Sequence, residues 1–196
     1  MATKGNPDMI RKCVATLESL TPYIQSRRIF DEKRKDETYD DFEARIWNKR
    51  MHVNESGEVY IPAMQIQKAM AAAAKYEDIP LKGSRNFTSL FAAGVYVADS
   101  VPLGVKPDDV KHEQILCSSD GKKGGSGGKQ VTRLFPIILQ WSADVEFMLL
   151  EPRITQDVFK RVLRSCGFFN GFGSFRAQNG NNNGRFKCTR VEWSEA

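Results

Sequence analysis

Residues 141–193 carry the pattern that most restricts the fold. Trp141, Ala143, Val145 and Phe147 alternate with other residues, the period-two mark of a strand with one buried face. Glu151-Pro152 closes that strand. Thr155 then stands where a helix N-cap belongs, and Val158, Phe159, Val162, Leu163 and Cys166 recur at helical spacing. Lys160, Arg161 and Arg164 fall on the opposite, exposed side. Gly167 takes the position just past the last turn at which a left-handed residue ends a helix. A loop rich in glycine and asparagine follows, and residues 185–193 alternate again as a final strand.

Strand, helix, loop, strand is half of a ferredoxin-like βαββαβ fold. The other half is fainter. Residues 13–24 read as a first strand, with Val14, Thr16, Glu18 and Leu20 on one face and Ala15, Leu17 and Ser19 on the other. A charged excursion, 27–43, interrupts the pattern. Ile46, Trp47, Met51 and Val53 precede the turn signal Asn54-Glu55-Ser56-Gly57, and Val59-Tyr60-Ile61 follows it, which predicts a hairpin. Pro62 then opens a helix over 63–75 that buries Ile66, Met70 and Ala74. Val95-Tyr96-Val97 and Ile115-Leu116-Cys117 are short strands, and Pro102, Gly104 and Pro107 break what lies between. Residues 118–130, with five glycines and three lysines, read as a loop. Residues 131–135 and 137–150 read as two strands separated by Pro136. The expected class is α+β: an antiparallel, RNA-recognition-like sheet with helices on one face, one domain over 1–196, and thumb-like insertions at 27–58 and 77–130.

Composition narrows the chemistry. Apolar residues make up 41% of the chain, enough for a core. No run approaches the ~20 apolar residues of a membrane helix, and residues 1–13 lack the apolar stretch of a signal peptide. A cytoplasmic protein with free thiols is the expectation, with Cys166 and Cys188 in the core. Cys13, Cys117, Cys166 and Cys188 form no Cys-x-x-Cys pair, and His52 and His112 are the two histidines. That pattern points to no zinc site, no other metal and no cofactor. Asp36, Glu37, Asp40 and Asp41 read as a solvated excursion rather than a cation site.

The net charge is +5, but residues 153–190 hold eight Lys/Arg against one acid, Asp157. A basic run inside a balanced chain suggests a polyanion partner, and a solvated face gives the same charge pattern. Within it lies Phe168-Phe169-Asn170-Gly171-Phe172-Gly173-Ser174-Phe175-Arg176. Gly171 and Gly173 would let the backbone approach a ligand, and Arg176 and Arg185 would reach phosphates at the two ends of the loop. Phe175 is placed to stack a base, whereas Phe168, Phe169 and Phe186 are expected in the core. Lys187 extends the set, and Lys122, Lys123 and Lys129 suit non-specific phosphate contact. The loop is no dinucleotide or Walker loop, because it follows a helix and no Gly-Lys-Ser/Thr occurs.

Three segments resemble the RAMP superfamily of CRISPR-associated proteins, above all the repeating backbone subunit that lines guide RNA. Residues 13–26, ending Leu20-Thr21-Pro22-Tyr23-Ile24-Gln25-Ser26, are similar to the family's first strand and its exit. Val59-Tyr60-Ile61-Pro62-Ala63 looks like its strand–Ile-Pro–helix element. Gly171-Phe172-Gly173-Ser174-Phe175-Arg176 followed by Gly184-Arg185-Phe186 looks like its C-terminal glycine-rich loop. The resemblance implies a modified RNA-recognition fold and side-by-side assembly along a single strand. It also implies that Arg27, Arg28, Lys68, Arg176 and Arg185 line the nucleic acid. The chain is short for a backbone subunit and its loop is stretched by an asparagine run. A stand-alone or virus-encoded relative that coats single-stranded DNA fits these residues as well as a CRISPR subunit does.

Three functions are compatible with the pattern. The first is a non-catalytic single-strand binder that oligomerises or serves a larger complex. The second is a protein–protein module that mimics or caps a CRISPR-type assembly, motivated by the acidic residues of 31–43. The third is a metal-independent endoribonuclease that uses His52 or His112.

Overall fold

The structure, a computed structural model, describes residues 10–77, 87–118 and 129–195. Strand β1 (Arg11–Ser19) is the inner strand on which the rest is hung. Cys13, Ala15 and Leu17 point into the core, and the residues between them stay partly solvated. The chain turns at Leu20-Thr21-Pro22, so the strand stops short of its expected end, and β2 (Tyr23–Ile24) joins a different sheet. Helix α1 (Tyr39–Ile46) and strand β3 (Val59–Ile61) precede α2 (Ala63–Ala74), α3 (Phe87–Gly94) and β4 (Val95–Tyr96). Strands β5 (Val101–Val105), β6 (Lys111–Ser118) and β7 (Gln130–Ile138) come next. The chain closes with β8 (Ser142–Leu149), α4 (Gln156–Ser165) and β9 (Phe186–Glu195).

The main sheet has the order β4-β8-β1-β9, and all its pairings are antiparallel. Taken with the crossovers through α2–α3 and through α4, this is the βαββαβ arrangement of a ferredoxin-like α+β fold. Small residues on β1 and the alanines Ala69, Ala73 and Ala74 on α2 contribute to one buried core. Phe159 of α4 meets Phe147 of β8 edge-on at 5.1 Å and Trp193 of β9 at 5.4 Å. The opposite face of the sheet is polar. Lys12 pairs with Glu146, the Thr16 hydroxyl donates to Asp144, and Lys187 pairs with Glu18. A bulge at Thr189 lets Arg190 face Thr16 while Cys188 faces Leu17.

A second sheet, β2-β7-β6, and a two-stranded ribbon, β3-β5, are built from the intervening segments. Three sequence expectations change here. Ile46 ends helix α1 and Trp47 opens a short 3₁₀ turn, instead of both lying in a hairpin arm. Thr38 accepts from the Asp41 N–H and caps the helix, the buried Glu43–Arg50 pair holds its end against β7, and a Val53–Val59 bridge is what remains of the hairpin. Val101–Val105 is a strand despite Pro102 and Gly104, because a ribbon edge needs no donor from proline. Pro136 sits inside β7 and does not end it. Its carbonyl accepts from Gln25 N–H at 3.1 Å, and the N–H it lacks would lie on that same side, where β2 has already ended.

Two buried polar clusters tie the second sheet to the first half of the chain. Gln25 donates to the Tyr60 carbonyl at 2.8 Å and accepts from His52 N–H at 2.7 Å. Arg50 and Glu43, both buried, form a two-pronged ion pair at 2.8 and 3.0 Å. Arg50 also donates to the Leu134 carbonyl, and Glu43 accepts from the Leu134 N–H. Both partners of the pair thus bond the backbone of Leu134 on β7. Breaking a buried ion pair from one side strands the other charge, at a cost of about 3–5 kcal/mol. Arg50→Met is therefore expected to lower unfolding free energy by that order, and adding Glu43→Gln should restore part of it. Urea unfolding of both variants checks this; an Arg50→Met protein as stable as wild type refutes the role.

Candidate nucleic-acid interface

Helix α4 does not stop at Gly167. Cys166–Asn170 continue it as a wider π turn, closed by the Gly171 N–H donating to the Cys166 carbonyl at 2.8 Å. Gly167 serves packing instead: a Cβ there would lie 2.2 Å from the Phe186 carbonyl oxygen. The extra residue in the turn rotates Phe168 and Phe169 out of the core. They are 39% and 70% exposed, against the expectation that both are buried, and Phe172 takes the core position, stacked on Phe186 at 4.4 Å.

The loop after the turn is fastened to the strand exit. Phe172 N–H donates to the Gly184 carbonyl at 2.9 Å, Gly184 N–H to Pro22 at 2.6 Å, and Ser174 N–H to Ile24 at 2.9 Å. Two glycines make this possible. Gly173 has φ +78°, and a Cβ on it would lie 2.4 Å from the Ile24 oxygen. Gly184 has φ +75°, and its Cβ would lie 1.9 Å from the Phe172 oxygen. The close approach that the glycines permit is thus backbone on backbone within the protein. Gly171 lies buried against Gly184 in the same contact.

The sequence-derived residues fall in several places. Phe175 packs edge-on against Phe135 at 5.0 Å, and the Arg50 guanidinium lies 5.2 Å from the Phe135 ring. Arg176 is half-buried, and its Nε has no hydrogen-bond partner among the described residues. Arg185 holds the loop's base, donating to Asn182 Oδ1 at 3.1 Å and to the Phe168 carbonyl. Arg27 and Arg28 are exposed just past β2, with Arg28 over the Phe30 ring at 5.0 Å. Lys68 is exposed on α2 and Lys129 just before β7. Lys122 and Lys123 lie outside the described residues.

One cluster of cations was not assigned from the sequence. A cavity of about 390 Å³ lies between α4 and β9, lined by Lys160, Leu163, Arg164, Phe168, Lys187 and Val191 among others. Lys160, Arg164 and Phe168 are spaced by four residues, so they form one stripe along α4 and its π turn. The Arg164 guanidinium is 5.9 Å from the Phe168 ring centre. Lys187 is paired with Glu18, whereas Lys160 and Arg164 have no ion-pair partner among the described residues. The signal for this groove was present in the spacing, but it depends on Phe168 facing outward.

Other titratable groups are less suited to chemistry. Burial pushes the Cys13 thiol up to about 12 and raises Cys166 as well, so both stay protonated at neutral pH. Burial, then the charge of Arg27, lowers the basicity of His52, which is therefore neutral at pH 7 and packs on Tyr60 at 5.6 Å. His112 packs on Trp47 at 4.9 Å. The acids of 31–43 are largely engaged within the protein. Asp31 pairs with Lys49, and Arg45 holds the Glu37 carboxyl down to about 2.

No family model and no curated protein matches the sequence. Among solved structures, the chain is similar to Cmr6 from Pyrococcus furiosus, with a TM-score of 0.50 and 12% identity. That alignment covers 95% of this chain and 100% of Cmr6. The chain is also similar to a chain of a Type III-B Cmr-beta assembly bound to cognate target RNA, with a TM-score of 0.48 and 12% identity. There it covers 95% of this chain and spans 61% of the other. The likeness to Cmr6 is one of fold, the ferredoxin-like α+β arrangement expected from the sequence.

The fastening of the loop makes a local prediction. Gly184→Ala combines a left-handed conformation with a backbone clash and is expected to cost about 2–4 kcal/mol. Amide hydrogen exchange at Phe172 and Ser174 should accelerate more than exchange at Ala15 in β1. Equal protection at all three sites in the variant would contradict the assigned contact.

Proposed function

We propose that this chain is a non-catalytic protein that binds single-stranded nucleic acid through its phosphates, as a subunit of a larger or self-repeating assembly. The observation that carries this reading is the α4–β9 groove, where Lys160 and Arg164, free of acid partners among the described residues, flank the exposed Phe168 ring. Cations of this kind bind a polyanion by releasing its counterions, and an exposed aromatic ring adds a stacking surface. Arg185 donates to the Phe168 carbonyl and so connects the groove to the glycine loop. Arg27, Arg28 and Lys68 are further exposed cations available to a longer strand. The fold shared with Cmr6 and the sequence resemblance to subunits that line guide RNA support RNA as the first ligand to try. The cations contact phosphates and do not read bases, so little sequence preference is expected from them.

The test is binding of labelled single-stranded RNA, single-stranded DNA and duplex across about 50–200 mM salt. Wild type should prefer a single strand, with affinity falling as salt rises. Each lost phosphate contact on a single strand reduces the log–log salt slope by about 0.7, so Lys160→Ala/Arg164→Ala should reduce it by about 1.4. Salt-independent binding, or no binding to any of the three ligands, overturns the reading.

A further inference from the structure

Next to the groove, on the other side of α4, lies a second cavity of about 430 Å³. It is lined by Tyr76 and Glu77 beyond the end of α2, by Ser165 at the end of α4, by Phe169 and Asn170 of the π turn, and by Gln178 of the glycine loop. Its size falls within the range of about 300–1,000 Å³ usual for small-molecule sites. Two features mark it as a recognition site. Tyr76 and Phe169 are 64% and 70% exposed, large apolar rings left in solvent at one cavity. Asn170 is 1% exposed, and its Nδ2 is a buried donor with no partner among the described residues. An unsatisfied buried amide costs about 1–3 kcal/mol, a cost that a ligand acceptor would remove.

We infer that this cavity takes one nucleobase of the bound strand. The inference rests on the single-strand reading above and extends it from phosphates to bases. A planar ring with carbonyl or ring-nitrogen acceptors matches what the cavity offers: aromatic faces, an Asn170 Nδ2 donor without a partner among the described residues, and a second amide on Gln178. A phosphate does not match, because Glu77 places a carboxylate in the lining. Arg161 of α4 donates to that carboxylate at 3.1 Å and so stands between the two sites, one residue from Lys160. The geometry therefore separates the two parts of a nucleotide. The strand's phosphates run on the Lys160–Arg164 side, and a base enters on the Phe169 side. Phe168 and Phe169, consecutive in the π turn, supply one ring to each.

The test has two arms. In the first, the four nucleoside 5′-monophosphates are titrated at millimolar concentration into the full chain while the Asn170 side-chain amide resonance is followed by NMR. The resonance is assigned by its loss in Asn170→Ser. A saturable shift with at least one nucleotide, abolished in Tyr76→Ala or Phe169→Ala, is the expected result. No shift with any nucleotide overturns the inference, whether or not the chain binds strands. In the second arm, a single strand is compared with its abasic counterpart. Wild type should bind the base-bearing strand about tenfold more tightly, and Phe169→Ala should erase most of that difference. Equal binding of the two strands by wild type removes the base site and leaves phosphate binding standing. Failure to bind either strand, with the Asn170 shift intact, removes the strand reading and leaves the nucleobase site. Tyr76 and Phe169 are largely exposed, so their alanine variants are expected to fold, and matching melting temperatures verify that.

Discussion

Much of the chain's second half depends on one contact between backbones, where Gly184 rests on the Phe172 carbonyl. No side chain fits between them, since a Cβ at residue 184 would lie 1.9 Å from that oxygen. From this contact the loop reaches β2 through Ser174 and the strand exit through Pro22. It also sets Phe172 against Phe186, beside Trp141, whose ring lies 6.3 Å from Phe172 and 6.4 Å from Tyr23. The aromatic cluster is thus shared by the main sheet, the strand exit and the loop. The eleven residues between Phe172 and Gly184 are held in shape because the loop's two ends meet where glycine alone can sit.

Legibility in the sequence followed the range of the interactions involved. The β8–α4–β9 unit was readable because each element carries its own period, and Thr155 caps α4 as its position implies. The helix after Pro62 was readable for the same reason. What failed was decided by tertiary partners. Ile46 and Trp47 look like strand residues, yet Glu43 and Arg50 close around β7 and fix a helix and a 3₁₀ turn between them. Pro136 looks like a break until the shortness of β2 is known. Gly167 looks like a helix terminus, and the demand placed on it comes from Phe186, nineteen residues away in sequence.

The same distinction governs the candidate site. The run of cations over residues 153–190 is continuous in sequence, but the fold divides it. Arg153 is paired with Glu151, Arg161 with Glu77, and Arg190 with Asp144 and Glu192. Exposed pairs of this kind contribute little stability, but they reduce the local field that an anion meets. Lys160 and Arg164 keep theirs, and they are set on one face of α4 by helical spacing. Net charge therefore overstates the cationic surface left unpaired among the described residues, and spacing on α4 marks where the candidate site gathers it.

The π turn explains how one short segment can serve both cavities. A regular helix through residue 170 would place Phe168 and Phe169 about 100° apart, with one of them directed toward the strands. Inserting the extra residue, with the hydrogen bond spanning from Gly171 back to Cys166, shifts that register. The core then closes on Phe172 instead, and both neighbouring rings are released to solvent on either side of α4. Asn170 is carried inward by the same shift and arrives buried, its Nδ2 without a partner among the described residues. A widened turn exposes two aromatic side chains and buries an amide donor that lacks a partner among the described residues, each at some cost in stability. That combination is what is expected of a segment shaped by a ligand rather than by packing alone.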